Sequence, residues 1–243
     1  MTKIKNKSFC ISAIVVLSIF LNSHAFAADK TPAGVVIASD GNVKAVAPDL
    51  SERTLSRGAS FYSLEKIIVD DDSKVQLKFS DGGLVNLIPS SEYVIDSYSF
   101  NIPGQTDEST TSLVKGGFRL LSGSIAKDNP SNVTIKTPVA TIGLLGTTIE
   151  GNIMDDQLYL SCLEGVVKIK NSHGEILIGG DNSLFASISK SQKPESLSER
   201  PEALAVKLFI APRGAESIKE PQIRKLDETP IFSPTPRVGP SRR

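Results

Sequence analysis

One cysteine, one histidine and a run of three aspartates carry the reactive chemistry that this sequence offers beyond its first residues. Cys162 and His173 stand eleven positions apart. A hairpin could close that spacing, and a thiol beside an imidazole is the pairing of a cysteine nucleophile. Leu160 and Leu163 flank the cysteine, however, and an apolar setting predicts an inert core thiol. His173 lies in Asn171-Ser172-His173-Gly174, which reads as a hairpin turn. No Gly-x-Ser-x-Gly elbow accompanies it, so a serine triad has no nucleophile to activate. Asp70-Asp71-Asp72 offers carboxylates to calcium but lacks the alternating spacing and terminal Glu of a calcium loop, and reads as a solvated turn. A single Cys and His do not close a zinc site. No glycine-rich loop opens a helix that could cradle phosphate, and no carboxylate pair can be placed for glycoside hydrolysis. The expectation is a protein without catalytic residues, metal or cofactor.

The beginning of the chain is read apart from the fold. Lys3, Lys5 and Lys7 form a basic region, Phe9 to Leu21 an apolar one, and Ala25-Phe26-Ala27 a small-x-small cleavage site. That is a secretory leader over residues 1–27, with the mature chain expected to start at Ala28. Asn22, Ser23 and His24 interrupt the apolar run short of the roughly 20 residues that a membrane span needs. Cys10 lies inside the apolar region rather than at its end, which argues against a lipoprotein. No later segment approaches a span, so the mature chain is expected to be soluble and periplasmic or secreted. Lys and Arg number 27, as do Asp and Glu, so no net field draws the chain to nucleic acid. The sequence holds no Trp and 6% aromatic residues. That scarcity disfavours both a ring-stacked carbohydrate cleft and the aromatic girdles of an outer-membrane barrel.

From Gly34 to Ile188 one local pattern recurs, a Gly-bearing turn followed by a short alternating run. Asp40-Gly41, Asp81-Gly82-Gly83, Gly116-Gly117, Gly123, Glu150-Gly151, Glu164-Gly165 and His173-Gly174 each precede such a run. Acidic-Gly pairs supply the positive φ of tight turns, and period-2 alternation marks strands with one buried face. Val75-Gln76-Leu77-Lys78-Phe79 shows the alternation most cleanly, with Val, Leu and Phe facing inward. Tyr93 to Phe100 continues as a β-type run, while Pro103–Thr111 and Lys127–Asn132 read as surface loops. The predicted class is all-β over residues 28–188. Short Gly-led strands suit a solenoid-like, β-helix-like stack, with a β-sandwich as the alternative. Residues 189–243 are expected to form a linker, a short helix from Glu199 to Ile210 capped by Ser198, and a proline-rich, slightly basic, disordered tail. Asn132-Val133-Thr134 matches a glycosylation sequon, which would matter only in a eukaryotic source.

The stretch Thr137 to Thr147, TPVATIGLLGT, carries the most information. Pro138 fixes φ and removes a donor, so it belongs at a strand start. Gly143 and Gly146 are expected to let the chain bend or pass close to another backbone while Val139, Ile142, Leu144 and Leu145 fill the space around them. Together with IIVDDDSKVQLKFSDGGLVNLIP (67–89) and KGGFRLLSGSIA (115–126), this stretch resembles the FecR-type periplasmic domain, a family named for an iron-citrate transport regulator. The likeness rests on Asp81 and Gly82, on Gly116, Arg119 and Gly123, and on Thr137, Pro138, Ala140, Thr141, Gly143, Gly146 and Thr147. One departure is Leu145, where the family usually carries Arg before Gly-Thr. Another is the start of the chain, where regulator members have a cytoplasmic segment and a membrane span. The resemblance implies a non-enzymatic, solenoid-like all-β module. The function expected is an exported protein-binding or regulatory module of the bacterial envelope with a protein partner. A structural or cell-wall polysaccharide-binding protein is the alternative. Partners could add a strand to a sheet edge.

Overall fold

The computed structural model describes residues 31–204. The expected leader, the end of the expected C-terminal helix and the proline-rich tail lie outside the described residues.

Eight short strands come first: β1 (Gly34–Asp40), β2 (Val43–Val46), β3 (Glu52–Thr54), β4 (Ser60–Phe61), β5 (Lys66–Val69), β6 (Lys74–Phe79), β7 (Leu84–Leu87) and β8 (Glu92–Ser99). Three long ones come next, β9 (Glu108–Leu121), β11 (Thr141–Met154) and β12 (Gln157–Asn171), with the short β10 (Val133–Lys136) between the first two. A helix, α1 (Ser124–Asp128), and a 3-10 turn (Pro130–Asn132) separate β9 from β10. β13 (Gly174–Gly179), β14 (Phe185–Ile188) and β15 (Glu195–Leu197) complete the sheet, and a 3-10 turn spans Glu202–Leu204. The all-β expectation is met. Burial in β6 alternates as the sequence requires, with Val75, Leu77 and Phe79 inside.

The strands join one open sheet in the order β15-β14-β12-β11-β10-β9-β7-β6-β1-β4. Its pairings are antiparallel except β9 with β10. Each long strand changes neighbours halfway. The first half of β9 pairs with β8 and β10, its second half with β7 and β11. β12 meets β14 with its first half and β13 with its second. The changes fall at glycines: Gly116 in β9 (φ 78°), Gly146 in β11 (φ 62°) and Gly165 in β12 (φ 82°). A left-handed residue inside a ladder is a bulge, which bends the strand and re-aims the residues beyond it.

That geometry corrects three expected turns. Gly116-Gly117, Glu150-Gly151 and Glu164-Gly165 lie inside strands, because the ladder resumes on both sides of them. Gly123 leads into α1 rather than a strand, and Lys127–Asn132 holds the end of that helix and a 3-10 turn rather than a loop. Asp40-Gly41, Asp81-Gly82 and His173-Gly174 do sit at turns. Over the described part of the expected C-terminal helix only the 3-10 turn Glu202–Leu204 forms. Pro201 disfavours the helical conformation at Arg200, and side chains of the sheet and of Arg200 take the carbonyls of Ala203 and Leu204.

Buried side chains from β1 to β14 form one continuous core, in which Phe61, Tyr93 and Phe118 are fully enclosed. At its rim Glu92 pairs with Lys115 at 3.1 Å and with Lys66 at 3.4 Å. Burial works to raise the Glu92 carboxyl, but hydrogen bonds and charge from the two lysines outweigh it and hold the carboxyl below its ordinary value. A carboxyl depressed in the folded state stabilises above its unfolded pKa, and that contribution fades as pH falls through the folded one. Glu92→Gln should therefore cost about 0.5–1 kcal/mol near pH 7, the range of partly exposed pairs. Urea titrations across pH should show the difference closing below pH ~4.

Candidate functional site

The sheet brings several residues of the three motif stretches together. Thr137 closes a tight turn between β10 and β11. Its Oγ1 accepts from the Val139 and Ala140 amides at 3.3 and 3.0 Å, and the Thr137 amide donates to the Ala140 carbonyl at 2.9 Å. Pro138 fits there because a turn asks no amide of it. Asp81 ties a second turn to α1. Its Oδ1 accepts from the Gly83 amide at 3.0 Å, and its carbonyl accepts from the Ser124 amide and hydroxyl at 3.0 and 3.1 Å. Gly123 lets that carboxylate in, since a Cβ there would lie 2.1 Å from Oδ2. The Asp81 amide donates to the Tyr98 hydroxyl at 2.8 Å. Burial, with the Asp81 charge adding to it, pushes that phenol well above its ordinary range. Gly82 turns the chain in open space (φ 85°).

Gly146 and Thr147 meet the other long strands. The Thr147 amide donates to Ser122 Oγ at 2.8 Å, and the Ser122 amide to the Thr147 carbonyl at 3.0 Å. Gly143 behaves otherwise than its spacing suggested. It pairs regularly between Thr134 and Lys168, and an added Cβ would make only ordinary contact at 3.9 Å. Thr141 is exposed, and so is Leu145, at 50%. An aliphatic side chain thus faces outward where the FecR pattern has a guanidinium.

Arg119 opens a polar row that the sequence did not disclose. In register across five strands stand Gln76, Asn86, Arg119, Glu150 and Ser161. Glu150 and Ser161 are buried although they point away from the core, because Arg200–Leu204 lies across this face. Arg200 Nη2 stands 2.5 Å from Glu150 Oε1 and donates to the Leu204 carbonyl at 2.9 Å. Asn152 Nδ2 donates to the Ala203 carbonyl at 3.0 Å. Among the described residues Ser161 Oγ has no hydrogen-bond partner, and neither has Glu150 Oε1 apart from its ion pair. Glu150 is masked in the sequence because Glu-Gly resembles a turn. Only a register argument pairing it with Arg119 could have found it.

The thiol, the imidazole and the aspartate run stay apart. Cys162 is buried in the first half of β12, with His173 beyond that strand's far end on an exposed hairpin tip, so extended backbone separates them. Burial raises the Cys162 thiol above its usual value. In a Cys10→Ser background, Cys162 should resist Ellman's reagent at pH 8 in the folded protein and react within minutes in urea. Asp70, Asp71 and Asp72 occupy the β5–β6 turn, where Asp70 accepts from Asn42 Nδ2 at 2.5 Å and Asp71 from Ser90 Oγ. Among the described residues no three His, Cys, Asp or Glu side chains converge as a metal site, and no helix is long and apolar enough to cross a membrane.

Residues 65–168 match the model of the FecR protein family, and all three motif stretches fall inside the match. Over that span the chain is similar to a FecR domain. Two crystal structures of a candidate anti-sigma factor from Parabacteroides distasonis are similar at 14% identity, with TM-scores of 0.44 and 0.45. In each case the overlap covers 56% of this chain and 60% of the other. No curated protein matches the chain.

Proposed function

We propose that this FecR-domain chain is an exported, non-catalytic regulatory module that binds a protein partner in the bacterial envelope. The match of residues 65–168 to the FecR family supports the reading most strongly. The leader-like residues 1–27 support export, with cleavage near Ala27 and a mature product in the periplasm or beyond. A passive scaffold also suits the side chains, since the thiol is buried, the imidazole lies on a remote turn, and Asp81, Gly82, Gly116, Thr137 and Gly146 are spent on turns and bulges. The glycine corners at which long strands exchange neighbours support a solenoid-like winding of short rungs.

Crosslinking in intact envelope followed by affinity capture of the tagged chain tests the proposal. One specific protein should be recovered from the periplasmic or outer fraction. Recovery of no specific protein, or of retained peptidoglycan alone, would favour the structural envelope role instead.

A further inference from the structure

We propose that the outer face of β11 and β12 around Glu150, Asn152 and Ser161 is a peptide-docking groove that the chain plugs with its own Arg200–Leu204 segment. A partner would open it by presenting a guanidinium and, four residues on, an aliphatic side chain in place of Arg200 and Leu204. The inference rests on the protein-binding reading above and gives that reading a location.

Three observations carry it. The face receives a chain segment, since Asn152 donates to a backbone carbonyl and Glu150 Oε1 faces a guanidinium as an ion pair without an aligned hydrogen bond. Backbone recognition of that kind does not depend on which chain supplies the carbonyl. The strap's polar ties are few. Among the described residues one hydrogen bond, from Asn152, and one ion pair, with Glu150, join it to the sheet beside the buried Ala203 and Leu204, and the Arg200 side chain is 43% exposed. The fit of the strap is also incomplete. Ser161 is fully buried beside Glu150 in the register, yet its Oγ finds no partner among the described residues. A buried hydroxyl left unpaired is costly, and a longer or better-matched segment offering a polar group there would satisfy it. Charge complementarity names the occupant, because a buried carboxylate at the groove's centre selects a cationic residue over an acidic or neutral one.

The probe is a fluorescein-labelled peptide of residues Ser198–Leu204, titrated by anisotropy against the full-length chain. In the wild type the strap occupies the groove, so apparent affinity is reduced by the small fraction of open molecules. Arg200→Ala/Leu204→Ala should open it and tighten binding about tenfold or more. Adding Glu150→Gln should abolish that gain, and a peptide with Gln for its Arg should bind neither protein. Equal binding to all variants, or none to an opened variant with native circular dichroism, overturns the proposal, as does spontaneous dimerisation of that variant by strap exchange. Should the opened variant fail to fold, hydrogen exchange on the wild type decides. Excess peptide must accelerate exchange at the Glu202–Leu204 amides, and unchanged rates refute the groove. Partner capture that excess peptide does not reduce would overturn the groove alone, whereas peptide binding without any captured partner would overturn the module reading alone.

Discussion

Gly165→Ala should destabilise the fold by about 3–5 kcal/mol, while Gly143→Ala should be neutral or slightly stabilising. Both glycines belong to the β11–β12 ladder, and only their local geometry separates them. Gly165 has φ 82°, and a Cβ there would lie 2.5 Å from the Gly146 carbonyl oxygen and 2.9 Å from Thr147 Cγ2. The left-handed conformation costs an L-residue about 1–3 kcal/mol when the surroundings enforce it. Overpacking adds about as much, because the obstacle is backbone held in a corner. On the other side of β12, β13 brings Gly179 close to the Gly165 carbonyl, so a shift to relieve one contact would load the next. Gly143 has ordinary backbone angles and its nearest neighbour to an added Cβ is 3.9 Å away. Alanine there would mainly reduce the freedom of the unfolded chain, worth about 0.4–1 kcal/mol. Paired urea denaturation curves check both. A Gly165→Ala midpoint within error of wild type would show that the corner is not fixed.

The contrast also shows how far the fold was legible from sequence. Alternation located β6 and β8 well, because a half-buried strand repeats every two residues whatever its neighbours do. Glycine was the ambiguous letter. The same acidic-Gly pair marks a hairpin turn at Asp81-Gly82 and an interior strand position at Glu150-Gly151. The difference lies in the continuity of ladders formed with residues far away in sequence, which local pattern does not contain. Strands as long as β9, β11 and β12 were therefore cut into pieces at their glycines. The three motif stretches were legible as a family resemblance. Their physical work was not, since Thr137 acts through a local turn while Asp81 acts through α1, 43 residues on. The polar row was hidden for a related reason. Arg119 and Glu150 are each ordinary in their own strands, and only register makes them neighbours.

That row sets up the second large effect, an asymmetry between the two ends of one ion pair. Arg200→Ala should cost about 2–3 kcal/mol, and Glu150→Gln about 1 kcal/mol or less. Glu150 is 3% exposed, so removing Arg200 takes from a buried carboxylate the cation that pairs with it and leaves only its cross-strand neighbour Arg119 nearby; such losses reach about 3–5 kcal/mol for fully enclosed pairs. Arg200 is itself 43% exposed, which admits water and lowers the figure. Neutralising Glu150 works the other way. The guanidinium left behind can hydrate, and it keeps its hydrogen bond to the Leu204 carbonyl. The double variant should therefore cost no more than Arg200→Ala alone, because once the carboxylate is neutral there is no buried charge to strand. Double-mutant thermal and urea unfolding would measure this directly. Equal single effects that simply add would mean that Glu150 and Arg200 do not act on each other. The strap would then owe its place to Ala203, Leu204 and the Asn152 hydrogen bond rather than to charge.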